Sequence, residues 1–179
     1  MNAEAWCTHL VDRLIEQGVD TFYASPGSRS TPLILALARH PKTTVHLHVD
    51  ERGQAYRAVG YARATGRPAG WVTTSGTAVA NGLPAVVEAA QDAVPLLCMT
   101  ADRPPELRGT GANQTIDQIQ IFGKYPAIFF DWPVPETQGD CEPNRQVVDG
   151  VATATAGHVV HWNFPFREPF EADTYGMVR

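Results

Sequence analysis

Apolar residues along the chain recur at spacings that alternate between those of a helix and those of a strand. In the first segment Trp6, Leu10 and Leu14 stand four positions apart, which places them on one face of a helix that ends near Gly18. A short run over 21–25 follows this helix and predicts the first strand.

Five further strands are predicted from their apolar patterns. Residues 44–49 alternate polar and apolar side chains, which indicates a strand with one apolar and one polar face. Residues 95–100 form an almost continuous apolar run, which is typical of a strand covered on both faces. The remaining strands are predicted over 71–74, 127–130 and 158–162.

About five helices are predicted between these strands. Besides the first, they cover 31–38, 51–65, 77–90 and 143–156. Thr31 is the predicted N-cap of the second helix and Asp50 that of the third, whereas Pro84 should kink the fourth because it has no N–H to donate. Strands that alternate with helices predict the α/β class: one doubly wound domain over 1–179, with a mostly parallel six-stranded sheet and helices on both faces.

Composition excludes several classes of protein. The 179 residues are 44% hydrophobic and 18% charged with a net charge of −5, a globular balance without the basic patch expected for nucleic-acid binding. Neither a signal peptide nor an apolar run of about 18 residues, as a membrane span requires, is expected. Three cysteines, Cys7, Cys98 and Cys141, form no CxxC pair, which favours reduced thiols and a cytoplasmic location.

Four polar segments directly follow predicted strands, at 25–30, 50–52, 74–77 and 102–106. Because the carboxyl ends of parallel strands meet at one edge of a sheet, we expect these segments to form a ligand site. Helix N-termini follow three of them, which favours an anionic ligand. The sequence contains no GxGxxG, GxxxxGK[ST] or GxSxG motif, which argues against a dinucleotide fold, a P-loop enzyme and an α/β-hydrolase.

His46 and His48 are the one pair spaced like metal ligands on a strand. No carboxylate or cysteine partner follows from the spacing, so ordinary strand histidines are the favoured interpretation. We therefore predict no metal ligand in this chain.

Five segments occur in order along the chain: SPGSRSTP at 25–32, DERG at 50–53, TSGTAVAN at 74–81, TADRPPE at 100–106 and GANQT at 111–115. Together they resemble the N-terminal, pyrimidine-binding domain of the 2-succinyl-5-enolpyruvyl-6-hydroxy-3-cyclohexene-1-carboxylate synthase family. Members of that family are the thiamine-diphosphate-dependent carboligases of menaquinone or phylloquinone biosynthesis. The close resemblance covers about residues 21–125.

The resemblance implies that 2-oxoglutarate loses CO2 and that the resulting acyl-carbanion equivalent adds to isochorismate. It also implies thiamine diphosphate and Mg2+ as cofactors, with the metal held by a later domain that carries a Gly-Asp-Gly motif. This chain has no such motif, since its pairs at 139–140 and 149–150 lie in another context. The family's central and diphosphate-binding domains are therefore expected to be absent here, and residues 1–179 alone are expected to be inactive.

The resemblance also implies a partner and a set of site residues. The partner is a diphosphate-binding domain from a second subunit, in a homodimer or homotetramer. The catalytic residue is Glu51, whose counterpart hydrogen-bonds N1′ of the aminopyrimidine. Further implied cofactor contacts are Pro26, Ser75, Gly76 and Thr77, and implied isochorismate contacts are Ser28, Arg29, Arg103, Asn113 and Gln114. Guanidinium groups suit the two carboxylates of isochorismate, and amides suit its other oxygens.

Each of these assignments has a structural alternative. Glu51 is also the kind of acid that a first helical turn favours, and Ser75 or Thr77 suits a helix N-cap. The two arginines suit a solvated surface or a salt bridge, and the two amides suit a turn. Two other functions also remain open. One is an acetolactate-synthase-like decarboxylase or carboligase, which would share Glu51 but lack the arginine and amide set. The other is a non-catalytic α/β module that binds an anionic metabolite or a partner protein.

Overall fold

The computed structural model describes residues 2–135 and 143–170, and within them six strands form a single sheet. The strands are β1 (Thr21–Ala24), β2 (Thr44–Leu47), β3 (Ala69–Thr73), β4 (Leu96–Asp102), β5 (Ile128–Asp131) and β6 (Val159–Pro165). Neighbouring strands all run parallel, in the order β2-β1-β3-β4-β6-β5. The predicted fold class and its six strands are confirmed. Cys141 and the pair at 139–140 lie outside the described residues.

The described residues contain six α-helices rather than about five. They are α1 (Ala3–Glu16), α2 (Thr31–Arg39), α3 (Glu51–Thr65), α4 (Thr77–Ala80), α5 (Leu83–Gln91) and α6 (Asn144–Thr155), with short 3-10 turns at Ser28–Ser30 and Pro105–Leu107. The prediction of a single helix over 77–90 is wrong, because α4 ends at Ala80 and a second helix, α5, begins at Leu83. Pro84 lies in the first turn of α5, where its missing N–H breaks no helical bond.

Of the two predicted N-caps, one is confirmed and one is wrong. Asp50 is the N-cap of α3, since its Oδ1 accepts a hydrogen bond from the Gly53 N–H at 2.9 Å. Thr31 is not the N-cap of α2 but its first residue. The preceding 3-10 turn carries Ser30 into the helix in a helical conformation, and its side chain makes no capping bond.

Helices cover both faces of the sheet. On one face α1, α2 and α6 enclose an apolar cluster that includes Leu10, Leu37 and Trp162. On the other face α3 and α5 enclose a second cluster around Ala58 and Trp71. All seven residues of β4 are buried, as expected for a central strand with helices on both sides.

The edge strand β2 is less covered than its pattern predicts. Leu47 is 60% exposed and Val49, just beyond the strand, is 83% exposed. β2 pairs with β1 on one side only. The apolar face predicted for this strand is therefore only partly buried by the described part of the chain, through Val45, which packs against the cluster around Leu37.

A row of polar side chains crosses the sheet near the carboxyl ends of its strands. The backbone register pairs Thr73 with Thr100, Thr100 with Asn163, and Asn163 with Asp131. The row lies on the α3 and α5 face, because Trp71, two residues before Thr73, belongs to the apolar cluster on that face. We call these four residues the polar row; it separates the apolar core from the loops at this edge.

The chain reverses its direction across the sheet at β1. This strand lies between β2 and β3, and the helices that lead into those two strands, α2 and α3, pack on opposite faces. Such a switch point opens a crevice beyond the carboxyl ends of the two strands beside it. Two of the predicted polar segments, 25–30 and 74–77, begin at the ends of β1 and β3 and therefore border this crevice.

His161 of β6 lies beneath the polar row and is fully buried. Its ring packs against Phe122 and Phe129, with centroids 4.7 and 5.1 Å away, and its Nε2 lies 2.8 Å from the Thr100 Oγ1. This burial lowers the pKa of His161 to about 3, from an ordinary value of 6.5. The imidazole is therefore neutral in the folded chain at physiological pH.

We predict that His161 makes the fold acid-sensitive. Between pH 6.5 and about 3 the unfolded chain binds a proton that the folded chain does not, so the free energy of unfolding falls as the pH falls. Relative to a His161→Gln variant, the wild type should lose roughly 2 kcal/mol between pH 7 and pH 5. Urea unfolding at both pH values measures this difference, with the exposed His158→Gln as control. Equal pH dependence in wild type and His161→Gln would refute the prediction.

Candidate active site

The loops that follow β1 and β3 touch at the switch point. A Cβ placed on Gly27 would lie 2.5 Å from the Thr74 Cβ, so only a glycine allows the two loops to approach this closely. The segment after β4 joins them, since a Cβ on Gly76 would lie 2.9 Å from the Gln114 carbonyl oxygen. Arg103 of the predicted segment 102–106 also contacts Ser75, so three of the four predicted polar segments are in direct contact.

Side chains from the segment after β4 hold the backbone around Gly76, which we call the Gly76 turn (74–77). Gly76 has a φ of +81°, and its N–H donates to the Gln118 Oε1 at 2.8 Å. The Ser75 carbonyl accepts from the Gln114 Nε2 at 2.9 Å, and the Ser75 Oγ accepts from the Arg103 guanidinium. The Gly76 N–H and the Ser75 carbonyl are therefore both fixed by side chains.

Glu51 is the first residue of α3, directly after the Asp50 cap, and is half-buried. Its Oε2 accepts a hydrogen bond from the Asn81 Nδ2 at 3.3 Å. Asn81 is the C-cap of α4, which begins at the Gly76 turn. The carboxylate is thereby connected to the turn, a contact that a mere preference for the first helical turn does not require.

Asn81 was missed by sequence reasoning as a site residue. The signal available was its place as the last residue of the TSGTAVAN segment. The unbroken helix predicted over 77–90 concealed its position at a helix end.

The two predicted substrate arginines are buried rather than solvated. Arg29 is 6% exposed and Arg103 is 9% exposed. The Arg29 Nη1 donates to the Phe166 carbonyl at 2.7 Å, its Nη2 lies 3.4 Å from a Glu168 carboxylate oxygen, and its guanidinium stacks on the Phe170 ring at 4.5 Å. Surface solvation is therefore wrong for both arginines, whereas the salt-bridge alternative is supported for Arg29 by its contact with Glu168.

Burial lowers the pKa of Arg29, and the nearby positive charge of Arg103 lowers it further. Burial likewise lowers the pKa of Arg103. Within the described residues the buried Arg29 Nε has no hydrogen-bond partner. Two guanidinium groups that act on each other, one of them incompletely bonded, are an arrangement suited to an anion.

The other predicted contacts lie on the exposed rim of this edge. Pro26, Ser28, Thr77 and Asn113 are exposed, whereas Ser75 and Gly76 are buried in the turn. The N-cap alternative for Ser75 and Thr77 is wrong, because Gly76 is the N-cap of α4 and no side chain caps it.

The turn-forming alternative for the two loop amides is supported by the backbone. Gln114 has a φ of +54°, and the Asn113 carbonyl accepts from the Thr115 Oγ1 at 3.2 Å. A turn does not exclude binding, since the Gln114 side chain still reaches the Ser75 carbonyl.

A buried charge network behind the site was not predicted. The Asp102 carboxylate accepts from the Asn163 Nδ2 at 2.8 Å, from Arg108 at 2.9 Å and from the Arg103 N–H at 2.7 Å. Arg108 also makes a two-pronged contact with Asp131, at 2.7 and 2.9 Å. Burial raises the pKa of Asp102, while Asn163 and Arg108 oppose that rise. The network orients the backbone at Arg103, one of the predicted site residues.

The histidine pair is not arranged as metal ligands. His48 lies beyond the end of β2 and its Nδ1 accepts from the Asp50 N–H at 3.1 Å, whereas the His46 ring stacks on Tyr23 at 4.8 Å. Over 2–135 and 143–170, no group of three or more potential metal-binding side chains occurs. No helix in those ranges is long and apolar enough to cross a membrane.

Comparison with known proteins finds relatives over most of the chain. Residues 6–121 match the family described as "Thiamine pyrophosphate enzyme, N-terminal TPP binding domain". The chain is 57% identical over 169 residues to the 2-succinyl-5-enolpyruvyl-6-hydroxy-3-cyclohexene-1-carboxylate synthase of Rubrobacter xylanophilus, and 55% identical over 170 residues to that of Salinibacter ruber. These alignments cover 92% and 93% of this chain but only 29% of each relative.

A plant protein is also similar. The chain is 46% identical over 172 residues to "Protein PHYLLO, chloroplastic" of Arabidopsis thaliana, which covers 93% of this chain and 10% of that protein. The resemblance drawn from the five sequence segments is confirmed by these matches.

We predict that Gly76→Ala destabilises the chain by about 1–3 kcal/mol. The added Cβ would strain a positive φ and meet the Gln114 carbonyl and side chain. Gly60→Ala is the matched control, because it lies inside α3 with open space around the new Cβ and should be neutral or stabilising by up to about 1 kcal/mol. Urea unfolding of both variants measures the difference, and equal stability would contradict the geometry of the turn.

Proposed function

Since the chain belongs to the family of N-terminal TPP-binding domains of thiamine pyrophosphate enzymes, we propose that it supplies the pyrimidine-binding half of a carboligase active site. In the proposed reaction 2-oxoglutarate loses its C1 carboxylate as CO2, and its C2 forms a new carbon–carbon bond to isochorismate. The product is 2-succinyl-5-enolpyruvyl-6-hydroxy-3-cyclohexene-1-carboxylate. The observation that carries the proposal is the half-buried Glu51 carboxylate, linked through Asn81 to the Gly76 turn.

The chain spans about 29% of the length of the synthases it matches. We therefore propose that the complete site needs central and diphosphate-binding domains, with Mg2+ and the diphosphate held by the latter. Residues 1–179 alone would then have no turnover. The exposed Leu47 and Val49 support a covering partner at the β2 edge, which in the proposal is the diphosphate-binding domain of a second subunit.

The residues present fit the pyrimidine half of thiamine diphosphate. Gly76 allows Gln114 to pack directly against the turn that borders the crevice, and Glu51 offers a carboxylate that is partly open to solvent. Pro26, Ser75 and Thr77 border the same crevice. When bound, thiamine diphosphate supplies the reactive centre at which a 2-oxoacid loses CO2.

Glu51 would hold a proton shared with a nitrogen of the bound pyrimidine. A carboxylate suits this role because it can accept or donate a proton at short range. The Asn81 amide donates to Glu51 Oε2 and so orients the carboxylate, leaving its other oxygen for the cofactor. Asp50 cannot replace it, since its Oδ1 is engaged by the Gly53 N–H, which lowers the pKa of Asp50.

Arg29 and Arg103 would bind the carboxylates of isochorismate. The Arg29 Nε is buried without a partner among the residues described, and the ion pair that Arg29 makes in that set, with Glu168, is long at 3.4 Å. A substrate carboxylate would replace this long contact with shorter charge-assisted hydrogen bonds. Ser28, Asn113 and Gln114, at the rim of the same edge, would contact the remaining oxygens of the substrate.

We predict that Glu51→Gln abolishes isochorismate-dependent CO2 release from 2-oxoglutarate, lowering kcat at least a hundredfold. The assay uses the full reading frame with thiamine diphosphate and Mg2+. Asp50→Asn is the matched control, since it removes a neighbouring carboxylate while keeping a good N-cap, and should retain most activity.

Other outcomes of this assay would favour other functions. Equal turnover in wild type and Glu51→Gln would remove Glu51 from the mechanism. Decarboxylation of other 2-oxoacids without isochorismate would indicate an acetolactate-synthase-like enzyme. No turnover by the full-length wild type would favour a non-catalytic binding module.

We predict that Arg29→Lys raises the KM for isochorismate about 10- to 100-fold, while the KM for 2-oxoglutarate changes little. Lysine keeps the charge but loses the forked geometry, at a cost of about 1.5–3 kcal/mol for a charged hydrogen bond. Arg39→Lys, an exposed arginine at the end of α2, is the control and should leave both constants unchanged. A parallel rise in both KM values would assign Arg29 a structural role only.

A further inference from the structure

Gln118 is a buried amide in the irregular segment that connects β4 to β5, and only 1% of it is exposed. It belongs to none of the five sequence segments that carry the family resemblance. Its side chain nevertheless reaches two of the regions that form the candidate site. Glutamine is rarely buried so completely unless its polar atoms are bonded.

The Gln118 amide uses both of its ends. Its Oε1 accepts from the Gly76 N–H at 2.8 Å. Its Nε2 donates to the Ala101 carbonyl at 3.0 Å and to the Asn163 Oδ1 at 2.8 Å. The Gly76 N–H can only donate and the Ala101 carbonyl can only accept, so the orientation of the amide is determined by the backbone on both sides.

The partner amide behind Gln118 is fixed in the same way. The Asn163 Nδ2 donates to Asp102 and to Asp131, each at 2.8 Å, which leaves its Oδ1 facing Gln118 and Thr100. A chain of oriented hydrogen bonds therefore runs from two carboxylates through two amides to one backbone N–H. Each link is buried or half-buried, and such links are strong because water does not compete for them.

This hydrogen-bond chain ends at Gly76, whose two neighbouring segments are both held by other contacts of the site. Gly76 lies between Ser75, which Arg103 and Gln114 contact, and α4, whose C-cap Asn81 holds Glu51. Gln118 also anchors the end of the 111–118 segment that carries the two proposed substrate amides. One buried side chain thus fixes the cofactor turn and the substrate segment relative to each other.

We propose that Gln118 is a positioning residue: its Oε1 holds the Gly76 N–H and thereby fixes the Gly76 turn for the cofactor, with Asn163 and the two aspartates as its support. The consequence for cofactor binding rests on the proposed function. The hydrogen bond to Gly76 can be tested without it.

The test compares two substitutions of similar size in the full reading frame. All proteins are compared at about pH 5, where burial keeps a carboxyl group protonated. Gln118→Met keeps the volume but removes the acceptor, whereas protonated Gln118→Glu keeps an oxygen that can accept from Gly76 and an O–H that can donate to Ala101 or Asn163. The exposed Gln91→Met, at the end of α5, is the control. Hydrogen–deuterium exchange is followed in peptides covering 74–82 and, as an internal reference for global unfolding, 96–102.

We expect Gln118→Met to exchange at least tenfold faster than wild type over 74–82, with 96–102 changing much less. Gln118→Glu should recover protection at 74–82 relative to Gln118→Met. The Kd for thiamine diphosphate should rise about tenfold in Gln118→Met and less in Gln118→Glu, and Gln91→Met should match wild type. A side chain that only fills space would give the opposite order, because methionine packs well and a buried glutamate does not.

Two results would overturn the positioning role: wild-type exchange over 74–82 in Gln118→Met, or faster exchange in Gln118→Glu than in Gln118→Met. Failure of the proposed function has a different signature. The wild type would then bind no thiamine diphosphate, while the exchange difference between the two variants would still decide whether Gln118 holds the turn.

Discussion

The backbone turn at Ser75 and Gly76 is the constraint on which the candidate site depends. Gly76 has a positive φ and no Cβ, which allows the 111–118 segment to lie directly against the turn. Side chains of that segment bond the Gly76 N–H and the Ser75 carbonyl, so a displacement of either region breaks hydrogen bonds in both. The turn then begins α4, whose C-cap Asn81 orients Glu51. The residues proposed to contact the cofactor and those proposed to contact the substrate are therefore held by one set of contacts rather than by independent loops.

Charged side chains buried at this edge of the sheet cost desolvation free energy, but they also orient the groups that they bind. Asp102, which is fully buried, and Asp131, which is half-buried, share Arg108 and Asn163 as partners. Such buried pairs add little net stability, because desolvation offsets the attraction between the charges, but they orient what they bind. Arg29 and Arg103 are buried beside them with fewer carboxylate partners, and burial lowers the pKa of both. In the proposed function an anionic ligand would compensate for that burial.

Most of the fold followed from local patterns. The six strands, the Asp50 cap and the stop of α3 before Gly66, which has a φ of +69°, were all predicted from spacing and turn chemistry. Errors arose where tertiary contacts override local preference. Pro84 lies in the first turn of a helix instead of kinking one. The helix is interrupted before it, where Gly82 packs against the Trp71 ring. The apolar residues of β2 are exposed because β2 is an edge strand, and strand order is not encoded in the pattern of a single strand.

The sequence by itself determined the elements, the polar segments at the strand ends and the family to which the five segments belong. Those features depend on neighbouring residues, whose geometry is set by backbone sterics and hydrophobic periodicity. Only the tertiary structure decided that both arginines are buried and that Asn81 meets Glu51. It also decided that Gln118 and Asn163 connect the Gly76 turn to a pair of aspartates. Gly76 and Gln118 are 42 positions apart, and Asp102 and Asn163 are 61 apart. Contacts of that range exist only after the sheet has set the strand order and brought the strand ends together.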